Sequence, residues 1–157
     1  MATTRRRDMA RAIYRAAVTA LLPLIVITSA HSTAAAEPLL VTIKEVMELT
    51  ITPATNTLWN VPELPTDEQW AGLEQASITL LVAADAIARG GAGESDAKWV
   101  GNPGWAAFND AMIKADLDAL KAIRARDTQA LLAAGDVLYP PCEGCHLQFN
   151  PGVAAGN

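Results

Sequence analysis

Near the C-terminus, Cys142-Glu143-Gly144-Cys145-His146 sets two thiols three residues apart and an imidazole directly after the second. That spacing is what covalent attachment of a c-type haem requires. The thiols add to the two porphyrin vinyl groups, and the adjacent histidine offers a neutral nitrogen to the iron. Cys142 and Cys145 are the only two cysteines, and His146 is one of two histidines. A structural disulfide or a thioredoxin-like redox pair would not need the histidine, and no βαβ pattern accompanies the motif. A structural zinc site needs four ligands, and no second Cys/His cluster supplies the remainder. The residues therefore point to a covalently held haem c.

The N-terminus carries the matching address. Arg5, Arg6, Arg7, Arg11 and Arg15 form a basic region, Ala16 to Ala30 is an almost continuous apolar run, and Ala34-Ala35-Ala36 precede Glu37-Pro38. This is the order of a secretory leader over residues 1–36, with cleavage near Ala36 and a mature domain over 37–157. An uncleaved membrane anchor is the alternative, but Pro23 interrupts the run and it falls short of the ~20 residues that span comfortably. Export and haem attachment agree, and together they predict a periplasmic location. The second histidine, His31, falls inside the leader.

Without the leader the chain keeps seven basic and sixteen acidic residues, a formal charge of −9. Nucleic acid and anionic lipid are poor partners for such a surface, because phosphate binding needs clustered Lys and Arg. An acidic surface would steer encounters with a basic face on another protein, and it also serves plain solubility.

The remaining stretch must position the motif. It divides into four helical segments, with no strand-like alternation. The first is expected from about Leu39 to Trp59, with Leu40, Ile43, Met47 and Ile51 on one face. Pro53 should break or kink it, and Val61-Pro62-Glu63-Leu64-Pro65 excludes helix. The second opens at Thr66 with Gln69 completing a capping box, carries Leu73, Ile78, Leu81, Val82 and Ile87, and stops at Gly90-Gly91. A loop is expected over about 91–101, and Gly90-Gly91-Ala92-Gly93 reads as a turn because the strand and helix of a phosphate loop are missing. Asn102-Pro103 opens the third, and Asp127 caps the fourth, which bears Cys142, Cys145 and His146 and ends before Pro151-Gly152, ahead of a frayed tail. Short connections favour an all-α, antiparallel up-down-up-down four-helix bundle. Pro140-Pro141 should break the fourth helix around Tyr139, with a restart at the motif.

The iron's second ligand is less determined. With the leader removed no second histidine remains, and Met47 and Met112 are the methionines left. At ~1.5 Å per residue both lie at depths close to that of His146, so depth does not choose between them. Spacing alone makes either a core filler more readily than a ligand. Trp59 and Trp105 could line a haem pocket, Lys44 could meet a propionate, and the scattered acids form no pair fit for general acid–base work.

Over about 37–150 the chain resembles the class II c-type cytochromes, the cytochrome c′ group, which have four antiparallel helices and their attachment motif near the end of the fourth. In that group the distal residue comes from the first helix, as Met in low-spin members and as a bulky apolar residue in five-coordinate ones. The segment Thr42-Ile43-Lys44-Glu45-Val46-Met47 matches the place of that Met. The resemblance thus implies Cys142 and Cys145 as thioether anchors, His146 as proximal ligand and Met47 as distal ligand. It implies a periplasmic single-electron carrier with no enzyme activity of its own, serving redox partner proteins. The competing expectations are a five-coordinate gas-binding or sensing module and a subunit of a larger redox enzyme. Pairing into a homodimer stays open.

Overall fold

The computed structural model describes residues 37–154, with side chains through 152. The expected leader, its expected cleavage near Ala36 and the extreme C-terminal tail lie outside the described residues. Within them the chain is all-helical, and no strand occurs.

The first rod is built from α1 (Ile43–Val46), a π-turn (Met47–Ile51) and α2 (Thr52–Trp59), which follow one another without a gap. It starts later than the apolar periodicity implied because Thr42 caps it. The Thr42 hydroxyl accepts from the Glu45 amide at 3.1 Å, and the Glu45 carboxylate accepts from the Thr42 amide at 2.8 Å. This reciprocal pair satisfies donors that the first turn leaves free. It also holds the Glu45 carboxyl below its ordinary value, through the Thr42 backbone amide first and the hydroxyl second. Leu40 therefore precedes the helix and is 98% exposed.

Pro53 does not break the rod. It has no amide for the Leu49 carbonyl, and its ring crowds that group. The preceding turn widens instead, and the Thr52 amide donates to the Met47 carbonyl. The widening sets the register. Over eight residues a regular α-helix would turn Ile51 ~80° away from Ile43, but a π-turn absorbs one extra residue and leaves ~20°. Both isoleucines are consequently buried.

Helix α3 (Asp67–Ile87) begins at the expected Thr66–Gln69 capping box. Its buried stripe is Trp70, Leu73, Ser77, Leu80, Ala84 and Ile87, whereas Ile78 and Val82 face outward. Leu73 and Ile87 are buried as expected, but between them the small residues Ser77 and Ala84 take the inner positions and let neighbouring helices approach closely. Gly90, at φ 85°, ends the segment.

The expected loop contains a short helix, α4 (Asp96–Val100). Asp96 is buried, and its Oδ2 accepts from the amides of Ile43 and Gly93, both at 2.9 Å. One carboxylate thus ties the start of the first rod to the glycine turn. A Cβ on Gly91 would lie 2.5 Å from Asp96 Oδ2 and 2.6 Å from the Val41 carbonyl. Gly91→Ala is expected to cost about 1–3 kcal/mol, read as a lower urea midpoint with unchanged slope.

Helix α5 (Pro103–Ala125) starts where Asn102 Oδ1 accepts from the Gly104 amide at 2.8 Å, and ends at Arg126, which is left-handed with φ 53°. Helix α6 (Thr128–Phe149) is capped by Asp127, whose Oδ1 accepts from the Ala130 amide at 2.9 Å. The break expected at Pro140-Pro141 is absent, and α6 runs through both prolines. The carbonyls that lose amide partners belong to Asp136 and Val137, two exposed residues whose carbonyls water can serve. Packing holds the helix on either side, through Leu138 before the prolines and Cys142, Cys145 and Phe149 after them. A last turn, α7 (Pro151–Ala154), follows.

The first rod packs on α3, α3 on α5 and α5 on α6, and α6 returns to α2. The core inside this ring is mainly aliphatic and alanine-rich, with Trp70 and Trp105 as its buried tryptophans.

Candidate cofactor-binding site

The motif lies on the last two turns of α6, so its three side chains share one helical surface. Cys142, Cys145 and His146 are all half-buried. Both thiols are free, and burial pushes each up to about 11, with the neighbouring Cys145 adding to the rise at Cys142. Thiols held neutral in this way are poor nucleophiles for disulfide exchange, which depends on thiolate. Among the described residues no three His, Cys, Asp or Glu side chains cluster as a metal ion would require.

Two adjoining cavities open beside the motif. The larger, about 460 Å³, is lined by Met47, Cys145 and His146, with Lys44, Glu48, Trp99, Trp105 and Phe149 among its other walls. Its size falls in the ~300–1,000 Å³ range of small-molecule sites. The inner one, about 30 Å³, is lined by Cys142, Cys145, Met47, Met112, Phe108 and Asn109, among others. Met47 and Cys145 border both. Met112 borders the inner cavity only, so the two methionines that depth could not separate differ in whether they share a cavity with His146.

The walls are aromatic. Trp99 stacks on Trp105 with centroids 5.8 Å apart and planes at 16°, and Phe149 meets Trp105 edge-on at 5.3 Å. The Trp105 indole donates to the Ile87 carbonyl at 3.3 Å, so this buried ring has a fixed orientation. Trp99 was not foreseen, because its segment reads as loop. A tryptophan in a stretch of glycines and small polar residues was the available signal.

Trp59 lies away from these cavities. Its indole donates to the Gly135 carbonyl at 3.1 Å, and its ring meets Tyr139. Lys44 stands at the larger cavity's wall, 70% exposed and 3.6 Å from Glu48, an exposed pair of small energetic weight. Asn109, also unforeseen, is buried. Its amide nitrogen donates to the Ala84 carbonyl at 3.0 Å, its Oδ1 has no hydrogen-bond partner, and the residue lines the inner cavity.

Inside the motif, a Cβ on Gly144 would lie 2.6 Å from a Phe108 ring carbon. The glycine thus lets α5 seat an aromatic edge against the motif backbone. The donor set fits a covalently anchored planar group. It offers two thiols on one helix, one imidazole beside them, a thioether across the cavity and flat aromatic walls. Compared with protein families, curated proteins and solved structures, the chain finds no match.

Proposed function

We propose that this protein is a periplasmic single-electron carrier built as an antiparallel four-helix bundle around one haem c. The observation that carries the reading is that one cavity gathers Met47 from the first rod with Cys145 and His146 from the last long helix. Cys142 and Cys145 would anchor the porphyrin, His146 would hold the iron on the proximal side and Met47 on the distal side. When bound, that group supplies one-electron chemistry.

The chain's residues supply the rest. Trp99, Trp105 and Phe149 give the cavity apolar aromatic walls, and Ile43 and Thr52 also line it. An imidazole and a thioether closing both axial positions would leave no site for substrate, so no enzyme activity is proposed. The acidic surface would meet a basic face on a redox partner. No helix among the described residues is long and apolar enough to cross a membrane. A five-coordinate gas-binding module is favoured by no observation here, since the proline break that would have drawn the distal side open is absent.

The test is an absorption spectrum of oxidised and reduced protein, matured in a host able to attach haem c. A covalent, low-spin, sulfur-ligated haem that resists carbon monoxide is the expected result. Colourless protein whose two thiols both react with a thiol reagent overturns the reading, and fast, tight carbon monoxide binding replaces it with the sensor.

A further inference from the structure

Helix α5 turns one side to the interior: Trp105, Asn109, Met112, Asp116, Leu120 and Ile123, all buried. Four of these are apolar, and Asn109 and Asp116 are not. Asp116 is fully buried, and neither carboxyl oxygen has a hydrogen-bond partner. It sits one helical turn past Met112 and two past Asn109, which both border the inner cavity, so its backbone is on the order of 10 Å from the Asn109 end of that wall.

The group facing it is Ser77 of α3, also fully buried, whose hydroxyl lies near enough to favour ionisation of the carboxyl but outside the geometry of a formed hydrogen bond. The other inward residues of α3 near this level are Leu73 and Leu80. Those of α6 are Leu131, Ala134 and Leu138, and those of the first rod are Ile51, Ala54, Thr55 and Leu58; none of these titrates. From α4, Asp96 is the other buried charged residue, and its carboxylate is committed to the amides of Ile43 and Gly93. Glu74, on α3, faces outward enough to pair with Arg124 at 2.8 Å. Among the described residues no Lys, Arg or His is buried in the core with Asp116.

We propose that Asp116 is a proton-binding site linked to the redox state of the cofactor, so that the protein carries a proton together with its electron. This rests on the haem reading above. An electron entering from a redox partner adds one negative charge to the cavity, and Asp116 takes one proton from solvent. When the electron leaves, the proton returns to solvent. Desolvation already drives the carboxyl up to about 7, which places the exchange near neutral pH. At an effective dielectric of ~20, a unit charge on the order of 10 Å away changes a protonation constant about tenfold. By linkage the electron's affinity depends on the proton to the same degree.

The test is the midpoint potential of the mature holoprotein between pH 5 and 9, with the infrared band of protonated carboxyl followed over the same range. The wild-type potential should fall as pH rises through neutrality, by ~59 mV for a tenfold linkage. In Asp116→Asn the pH dependence and the band should both be lost. Ser77→Ala keeps the carboxyl but removes the hydroxyl that favours ionisation, so the band and the inflection in potential should move together to higher pH. A potential that ignores pH in wild type, or follows pH equally in Asp116→Asn, overturns the linkage. So does a Ser77→Ala protein in which the band moves and the potential does not. Colourless protein overturns the haem reading and the linkage with it, and its missing visible spectrum distinguishes that failure from a failure of linkage alone.

Discussion

Met47→Ala and Met112→Ala are expected to separate completely in their effects. Met112 is a buried core residue, so truncating it should cost about 2–5 kcal/mol of stability while leaving the iron low-spin. Met47 is only partly buried, at the junction of the two cavities, so Met47→Ala should cost less in the unfolding of cofactor-free chain. In the holoprotein it removes the proposed sixth ligand and should convert the iron from low to high spin and open it to carbon monoxide. Absorption spectra and urea titrations of both variants decide the matter. A spectral change in Met112→Ala alone would reverse the assignment.

The second large effect is on stability against pH. Asp116 holds its proton up to about pH 7 in the folded chain, whereas in the unfolded chain it ionises near the ordinary value of 3.8. Between those limits the folded state binds more protons than the unfolded one, so stability falls as pH rises through the window and levels off above it. The loss is on the order of 3 kcal/mol, since each decade of proton affinity corresponds to about 1.4 kcal/mol and residual solvation trims the total. Asp116→Asn has no such loss. Its stability relative to wild type should therefore climb between about pH 4 and pH 7, whatever constant offset the amide introduces. Urea midpoints at several pH values measure that difference, and a difference that stays flat would show that Asp116 ionises normally.

Local chemistry told of much of this architecture in advance. Thr66 with Gln69, Asn102 with Pro103, and Asp127 each start a helix where their side chains are suited to do so, because capping acts over three or four residues and leaves its mark in that span. The attachment motif is equally local. The prolines misled for the opposite reason. Their steric rule is local, but the outcome depends on distant packing and on whether the freed carbonyls can reach water. At Pro140-Pro141 the helix continues between anchored ends, and at Pro53 a widened turn absorbs the conflict. The role of Asp96 was illegible because its partners, Ile43 and Gly93, meet only after the chain has folded back. Asp116 left a fainter trace: an acid in step with Trp105, Asn109, Met112 and Ile123 on an apolar stripe.

The first rod is fastened at its two tips, by Asp96 at the Ile43 amide and by the Trp59 indole on the Gly135 carbonyl. Between those moorings lies the widened turn that begins at Met47, with Glu48 and Leu49 open to solvent. The same turn buries Ile51 and packs on α3, so it is held from the inside as well as at its ends. A Met47 thioether that holds iron as proposed would thus keep its station in both redox states, which would keep the reorganisation that accompanies each electron small.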